Sequence, residues 1–183
     1  ASNGFSSPSN YRIDHAMEDF IKWARDVDPM REGVLPQPRS LPKLDRRSSM
    51  NGRTLLSIDM VSANYSVMRW VAERQGIKVP PSWEELCSQL GIHPFLAGSK
   101  VFRQYCFGNY MPTRHATLQK HVMALVQEQM AIPEEDLVYK SHDEIVLVYP
   151  EAEGYDNFMM RTVKALSDEG LGDQIKLKGT IYK

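Results

Sequence analysis

Asp143 and Glu144 stand side by side in "SHDEIVL", between two alternating segments rich in β-branched residues, and Asp59 sits near the end of the apolar run "LLSIDM". Adjacent carboxylates repel and resist burial, so they are poor residues for a strand interior. A hairpin tip tolerates them as a solvated turn. Brought beside a carboxylate from a neighbouring strand end, they form an oxygen-ligand site suited to Mg²⁺ or Mn²⁺. A pair of such ions about 3.5–4 Å apart can activate a hydroxyl and stabilise a leaving pyrophosphate. Without the ions, like charges held that close would only repel. On composition and spacing alone, the solvated turn and the half-site stand level.

The residues between these acids add a second signal. From Leu86 to Gln127 there is no Asp or Glu, while Lys100, Arg103, Arg114 and Lys120 all fall inside that stretch. A local positive block attracts polyphosphate or a nucleic-acid backbone. Tyr105, Phe107 and Tyr110 interleave with the cations and could stack on bases. For each residue singly, a core aromatic or a solubilising cation is the plainer explanation. The weight lies in the clustering.

The elements that must hold these residues follow from hydrophobic period and turn signals. "YRIDHAMEDFIKWARDV" spaces Ile13, Met17, Phe20, Ile21 and Ala24 as one helical face, which Pro29 ends. Pro36, Pro38 and Pro42 among basic and small residues mark an extended linker. "RTLLSIDM" reads as a buried strand and "SANYSVMRWVAERQG" as a helix closed by Gly76. Ser82 and Glu85 have capping-box spacing for a short helix. The Gly- and Pro-punctuated stretch from His93 to Pro112 holds a further short helix. "HATLQKHVMALVQEQM" is a helix with Leu118, Val122, Leu125, Val126 and Met130 on one side. Leu137–Ser141 and Ile145–Tyr149 read as a hairpin, "YDNFMMRTVKALSDEG" as a helix, and "QIKLKGTIYK" as an alternating final strand. The order predicts an α+β fold, an antiparallel sheet with helices packed on one face. Three regions are expected: a polar start and helix over 1–30, a Pro-rich basic linker over 31–52, and the α+β domain over 53–183.

Bulk properties narrow the function classes. With 183 residues, net charge -1 and pI near 6.6, the chain has no global charge imbalance. No apolar run approaches the ~18 residues of a membrane span, so no membrane partner is expected. Two cysteines, Cys87 and Cys106, exclude a disulfide scaffold and favour a reducing, intracellular setting with buried free thiols. The polar opening "ASNGFSSPSN", without a starting Met, reads as the trimmed edge of a longer protein. His93, His115 and His121 lack zinc-type spacing, and no Walker A loop, dinucleotide fingerprint or nucleophile elbow is present. His15 and Asp14, and the acids Asp26 and Asp28, read as a solvated helix face, and the ten methionines as core filler.

Strand-Asp-helix, then a basic and aromatic helix, then a hairpin with acids at its tip resembles the order of motifs A, B and C in polymerase palm domains. "SHDEIVL" looks like the "VHDE" motif C of family A DNA polymerases, and the helix and strand after it look like that family's C-terminus. The resemblance covers roughly Arg53 to Lys183, with fingers far shorter than in the family. It implies that Asp59 and Asp143 bind two Mg²⁺ or Mn²⁺ ions, that Glu144 assists, and that His142 flanks the primer end. In "DMVSANYS", Ser62 and Ser66 are spaced as in family B. Asn64 stands five residues after Asp59, where both families carry a sugar-sensing Glu or Tyr. In "RQYCFGNY", Arg103 stands where a Lys is usual, Phe107 matches family A spacing and Tyr110 matches family B. The implied roles are then Lys100 and Arg103 on the incoming triphosphate, Phe107, Tyr110 and Asn64 at the nucleotide, and Arg114 and Lys120 on the nucleic-acid backbone. The implied activity is nucleotidyl transfer, with nucleic acid and a nucleoside triphosphate as partners. The rival expectation is a non-catalytic palm-like module that binds nucleic acid or a larger polymerase or replication assembly. A metal-dependent nuclease using the same acids is a third.

Overall fold

Sequence period translates directly into elements. The computed structural model describes residues 12–31 and 37–183; the polar start and residues 32–36, including Pro36, lie outside them. The described chain divides into two compact units. One comprises the described part of Ala1–Val34 together with Val71–Thr113, and the other Leu35–Trp70 with Arg114–Lys183.

The first unit is helical. Helix α1 (Ile13–Val27) buries Ala16, Phe20 and Ala24, and stops at Asp28, whose left-handed backbone lets its N–H close on the Ala24 carbonyl. Pro29 follows, in agreement with the stop signal. Helix α2 (Ala63–Arg74) enters this unit at its C-terminal end, where Gly76 takes a φ of 77° that favours glycine. Helix α3 (Trp83–Gln89) starts at Ser82, whose hydroxyl accepts from the Glu85 N–H as the capping-box spacing predicts. The short α4 (Pro94–Ala97) and then α5 (Lys100–Gly108) fill the stretch that period alone left open. Ser99 caps α5 by accepting from the Phe102 N–H. An aromatic cluster forms the centre: Phe20 meets Phe107 at 5.1 Å and Trp83 at 5.3 Å, in edge-to-face contacts. Cys87 and Cys106 are buried free thiols, and burial pushes each thiol up to about 12.

The second unit carries the sheet. Its strands are β1 (Leu44–Asp45), β2 (Leu55–Met60), β3 (Leu137–Lys140), β4 (Glu144–Val148) and β5 (Leu177–Tyr182). They run in the order β1-β3-β4-β2-β5 with every neighbouring pair antiparallel. With α6 (Pro112–Gln129) and α7 (Tyr155–Asp168), the fold is α+β with helices packed on a sheet, as expected. The linker region differs from its sequence reading in one respect. Leu44 and Asp45 pair with Lys140 and Tyr139, so part of it is an edge strand. Two residues are too few to show a period, and only the open edge of β3 selects them.

Alternation along β2 separates two faces. Leu56, Ile58 and Met60 are buried on one, while Ser57 and Asp59 lie on the other. Gly179 of β5 pairs with Ile58, and α7 crosses the same face close by. The Tyr155 hydroxyl donates to the Gly179 carbonyl at 3.1 Å. A Cβ on Gly179 would stand 2.8 Å from both the Met159 sulfur and the Tyr155 ring. Glycine at this strand position is what lets the helix approach. Gly179→Ala is therefore expected to destabilise the protein by about 1–3 kcal/mol through overpacking, read as a lower urea midpoint at unchanged m-value.

Candidate functional site

The acids expected at a two-metal site come together in the sheet. Antiparallel pairing sets Asp59 of β2 directly opposite Glu144 of β4. Directly opposite residues share a face, so the two carboxylates project to the same side. The ladder continues one step further, with the Met60 N–H donating to the Asp143 carbonyl at 3.0 Å. Asp143 thus sits at the hairpin tip beside the end of β2, and the Ser141 N–H closes the tip on the Glu144 carbonyl.

Each acid has identifiable neighbours. The Ser57 hydroxyl, buried two residues before Asp59 on the same face, donates to Glu144 Oε2 at 2.6 Å. That short charge-assisted bond holds the Glu144 side chain in one orientation. Ser141 donates to Asp143 Oδ1 at 3.3 Å, and His142 Nε2 lies 3.7 Å from the same oxygen. Asp143 remains about one-third exposed and His142 about half. On the far side of Asp59, Lys178 of β5 is its register partner, so Lys178, Asp59 and Glu144 form one row across three strands.

A cleft of about 770 Å³ opens beside this row, lined among others by Arg47, Lys120, Tyr139, His142, Asp143 and Glu144. Arg47 forks onto both carboxylate oxygens of Asp45, at 3.0 and 2.7 Å, and its guanidinium lies 4.2 Å from the centre of the Tyr139 ring. The Arg47 hydrogen bonds hold the Asp45 carboxyl below its ordinary range, and the same pairing raises Arg47, with a smaller contribution from Glu144. Lys120 projects into the cleft from α6, where it joins Arg47 and His142 around the acids.

The other expected site residues are distributed as follows. Asn64, near the start of α2, accepts through Oδ1 from Gln119 Nε2 at 2.7 Å, so its amide is engaged with α6. Arg114 lies in the first turns of α6 in the sheet-bearing unit. Lys100 and Arg103 lie on α5 of the helical unit, Lys100 exposed and Arg103 half-buried. Phe107 and Tyr110 are buried in that unit, with their rings 5.1 and 5.9 Å from Phe20. Their aromatic surface is thus engaged in the core.

The donor set fits Mg²⁺ or Mn²⁺ of one kind. Among the described residues, no group of three or more His, Cys, Asp or Glu side chains forms a ready-made cage. Mg²⁺ is commonly held by one or two carboxylates, with water and substrate phosphates completing its shell. Asp59 and Asp143, on adjacent strand ends, match that partial set. Comparison of the chain with models of known families, with curated proteins and with solved structures returns no match.

Sequence reasoning did not single out Ser57, Arg47, Tyr139, Gln119 or Lys178. Period two in "LLSIDM" already puts Ser57 on the face of Asp59, and the same alternation in "IKLKGTIY" separates Lys178 from Gly179. Arg47 carried no such signal, because its position follows from the pairing of β1.

His115, on α6, is almost fully enclosed, and its pKa is lowered to about 4 by burial and then by the Arg114 charge. In the unfolded chain the imidazole takes its proton near the ordinary 6.5. Protonation therefore favours the unfolded state as pH falls below 6.5, and its effect levels off below about 4. Up to about 3 kcal/mol of stability is expected to be lost across that window. Urea denaturation of wild type and His115→Gln at intervals between pH 7 and 4 checks this, with the variant showing the shallower slope.

Proposed function

We propose that the sheet-bearing unit is a palm-like nucleotidyl transferase module acting on a nucleic-acid 3′ end with a nucleoside triphosphate. The observation that carries the reading is the register of β2 and β4. It sets Asp59 opposite Glu144, with Asp143 joined to the same strand end through the Met60 N–H. Asp59 and Asp143 would hold the two divalent cations, Mg²⁺ or Mn²⁺. When bound, these ions supply charge neutralisation for attack of a 3′-hydroxyl on an α-phosphate and for the departing pyrophosphate.

The remaining residues position and balance. Glu144, held by Ser57, keeps a third negative charge beside the pair without swinging into it. Lys120 faces the cleft and supports the sugar-phosphate backbone, while His142 flanks the strand end at the hairpin tip. Arg114, on the same helix, serves the backbone as well. Holding reactants in line lowers the barrier mainly through orientation.

One set of observations favours the second reading, a non-catalytic module that binds nucleic acid or a polymerase assembly. Asn64 is engaged by Gln119, and Phe107 and Tyr110 are enclosed in an aromatic core, so side chains expected at the nucleotide are already occupied. Incorporation of labelled nucleotide into a primer–template in Mn²⁺ separates the two. The enzyme reading expects Asp59→Asn and Asp143→Asn each to lower incorporation by at least about 100-fold, with unchanged circular dichroism and complete loss in EDTA. Full incorporation by both variants would sink the two-metal assignment. Metal-independent nucleic-acid binding without incorporation supports the module.

A further inference from the structure

The cations facing the acid row are not equivalent. Arg47 is fixed on one side, forked onto Asp45 and stacked on Tyr139. Lys178 is at the opposite end of the row, on an edge strand. Gly179 beside it meets Tyr155 and Met159 of α7, so alternation turns Lys178 to the other face, the face of Asp59. Cross-strand partners hold their Cβ atoms roughly 4.5–5.5 Å apart, and the four-carbon stem of a lysine lets its ammonium sweep the neighbouring carboxylate. Lys178 is exposed, and among the described residues its side chain makes no hydrogen bond or ion pair. It is a cation delivered by register to an acid row and left unfastened there.

A divalent ion and an ammonium compete for the same carboxylate. Once a metal ion takes Asp59, the neighbouring ammonium lies beside whatever anion that ion binds. The geometry points to Lys178 as the phosphate-positioning residue of the acid site. Its ammonium balances Asp59 in the bare protein and turns to the phosphates of a nucleoside triphosphate when the divalent ion is present. This assignment rests on the nucleotidyl-transfer reading of the row. Arg47 is unsuited to the part, because leaving its place would break a two-pronged ion pair and a ring contact together.

Calorimetric titration of the full chain tests it, first with Mn²⁺ alone and then with dATP at saturating Mn²⁺. Lys178→Gln is expected to bind Mn²⁺ on the order of threefold more tightly, because the competing cation is gone. The same variant is expected to bind dATP about tenfold more weakly, because a charged hydrogen bond to phosphate is lost. Lys178→Arg restores both values toward wild type. Opposite changes in the two affinities separate this role from structural damage, which would weaken both and lower the urea midpoint. Unchanged dATP affinity in a Lys178→Gln protein that still takes up Mn²⁺ overturns the assignment of Lys178 alone. A wild-type protein that takes up no Mn²⁺ overturns the metal reading of the acid row, and this inference with it.

Discussion

The site depends on one register. Pairing of β2 with β4 sets Asp59 against Glu144 and ties the Asp143 carbonyl to the Met60 N–H. A slip of one residue along either strand would turn the whole set to the opposite face. The slip is opposed by the other side of the same strands, where Leu56, Ile58, Ile145 and Leu147 are buried. The apolar face therefore sets the geometry of the polar one. Burial of four large aliphatic side chains contributes several kcal/mol, more than the repulsion of partly solvated carboxylates removes.

Charge is distributed around the row so that the acids can coexist. Ser57 donates to Glu144, Ser141 donates to Asp143, and Lys178 and Arg47 lie on the two sides of the row. These are modest interactions individually, since most of the groups are partly exposed. Their sum is a face on which Asp59 and Glu144 stay opposite each other, with Asp143 at the adjoining strand end.

The opposite face carries a different constraint. Lys140, by the same alternation, points away from the acid row; it is buried, and its ammonium is met by Glu134 at 3.2 Å. That hydrogen bond holds the Glu134 carboxyl below its ordinary range. Gly179 lets α7 approach the edge strand closely, where a larger residue would drive it off. In the helical unit, the ring cluster of Phe20, Trp83 and Phe107 supplies a core of its own.

Much of the fold was legible in the sequence because it rests on local period and local caps. The strand ending near Asp59, the hairpin around Asp143, the Ser82 cap and the helix after Gly154 follow from residues within one or two turns of each other. The acids were legible as a pair of candidates, since carboxylates at strand ends are conspicuous. What local pattern could not supply was which strands become neighbours. The sheet order sets β5 beside β2, which puts Lys178 next to Asp59, and adds β1 at the far edge, which brings Arg47 over Tyr139. The aromatic residues show the same limit, because Phe107 and Tyr110 have the same spacing whether they face a base or a core. Their burial around Phe20 depends on how α1 packs against α5. Sequence alone determined most of the elements and the chemical types at their ends, because hydrogen bonding and period act over a few residues. Tertiary structure alone decided which charges meet across strands, because strand order and helix packing join residues far apart in the chain.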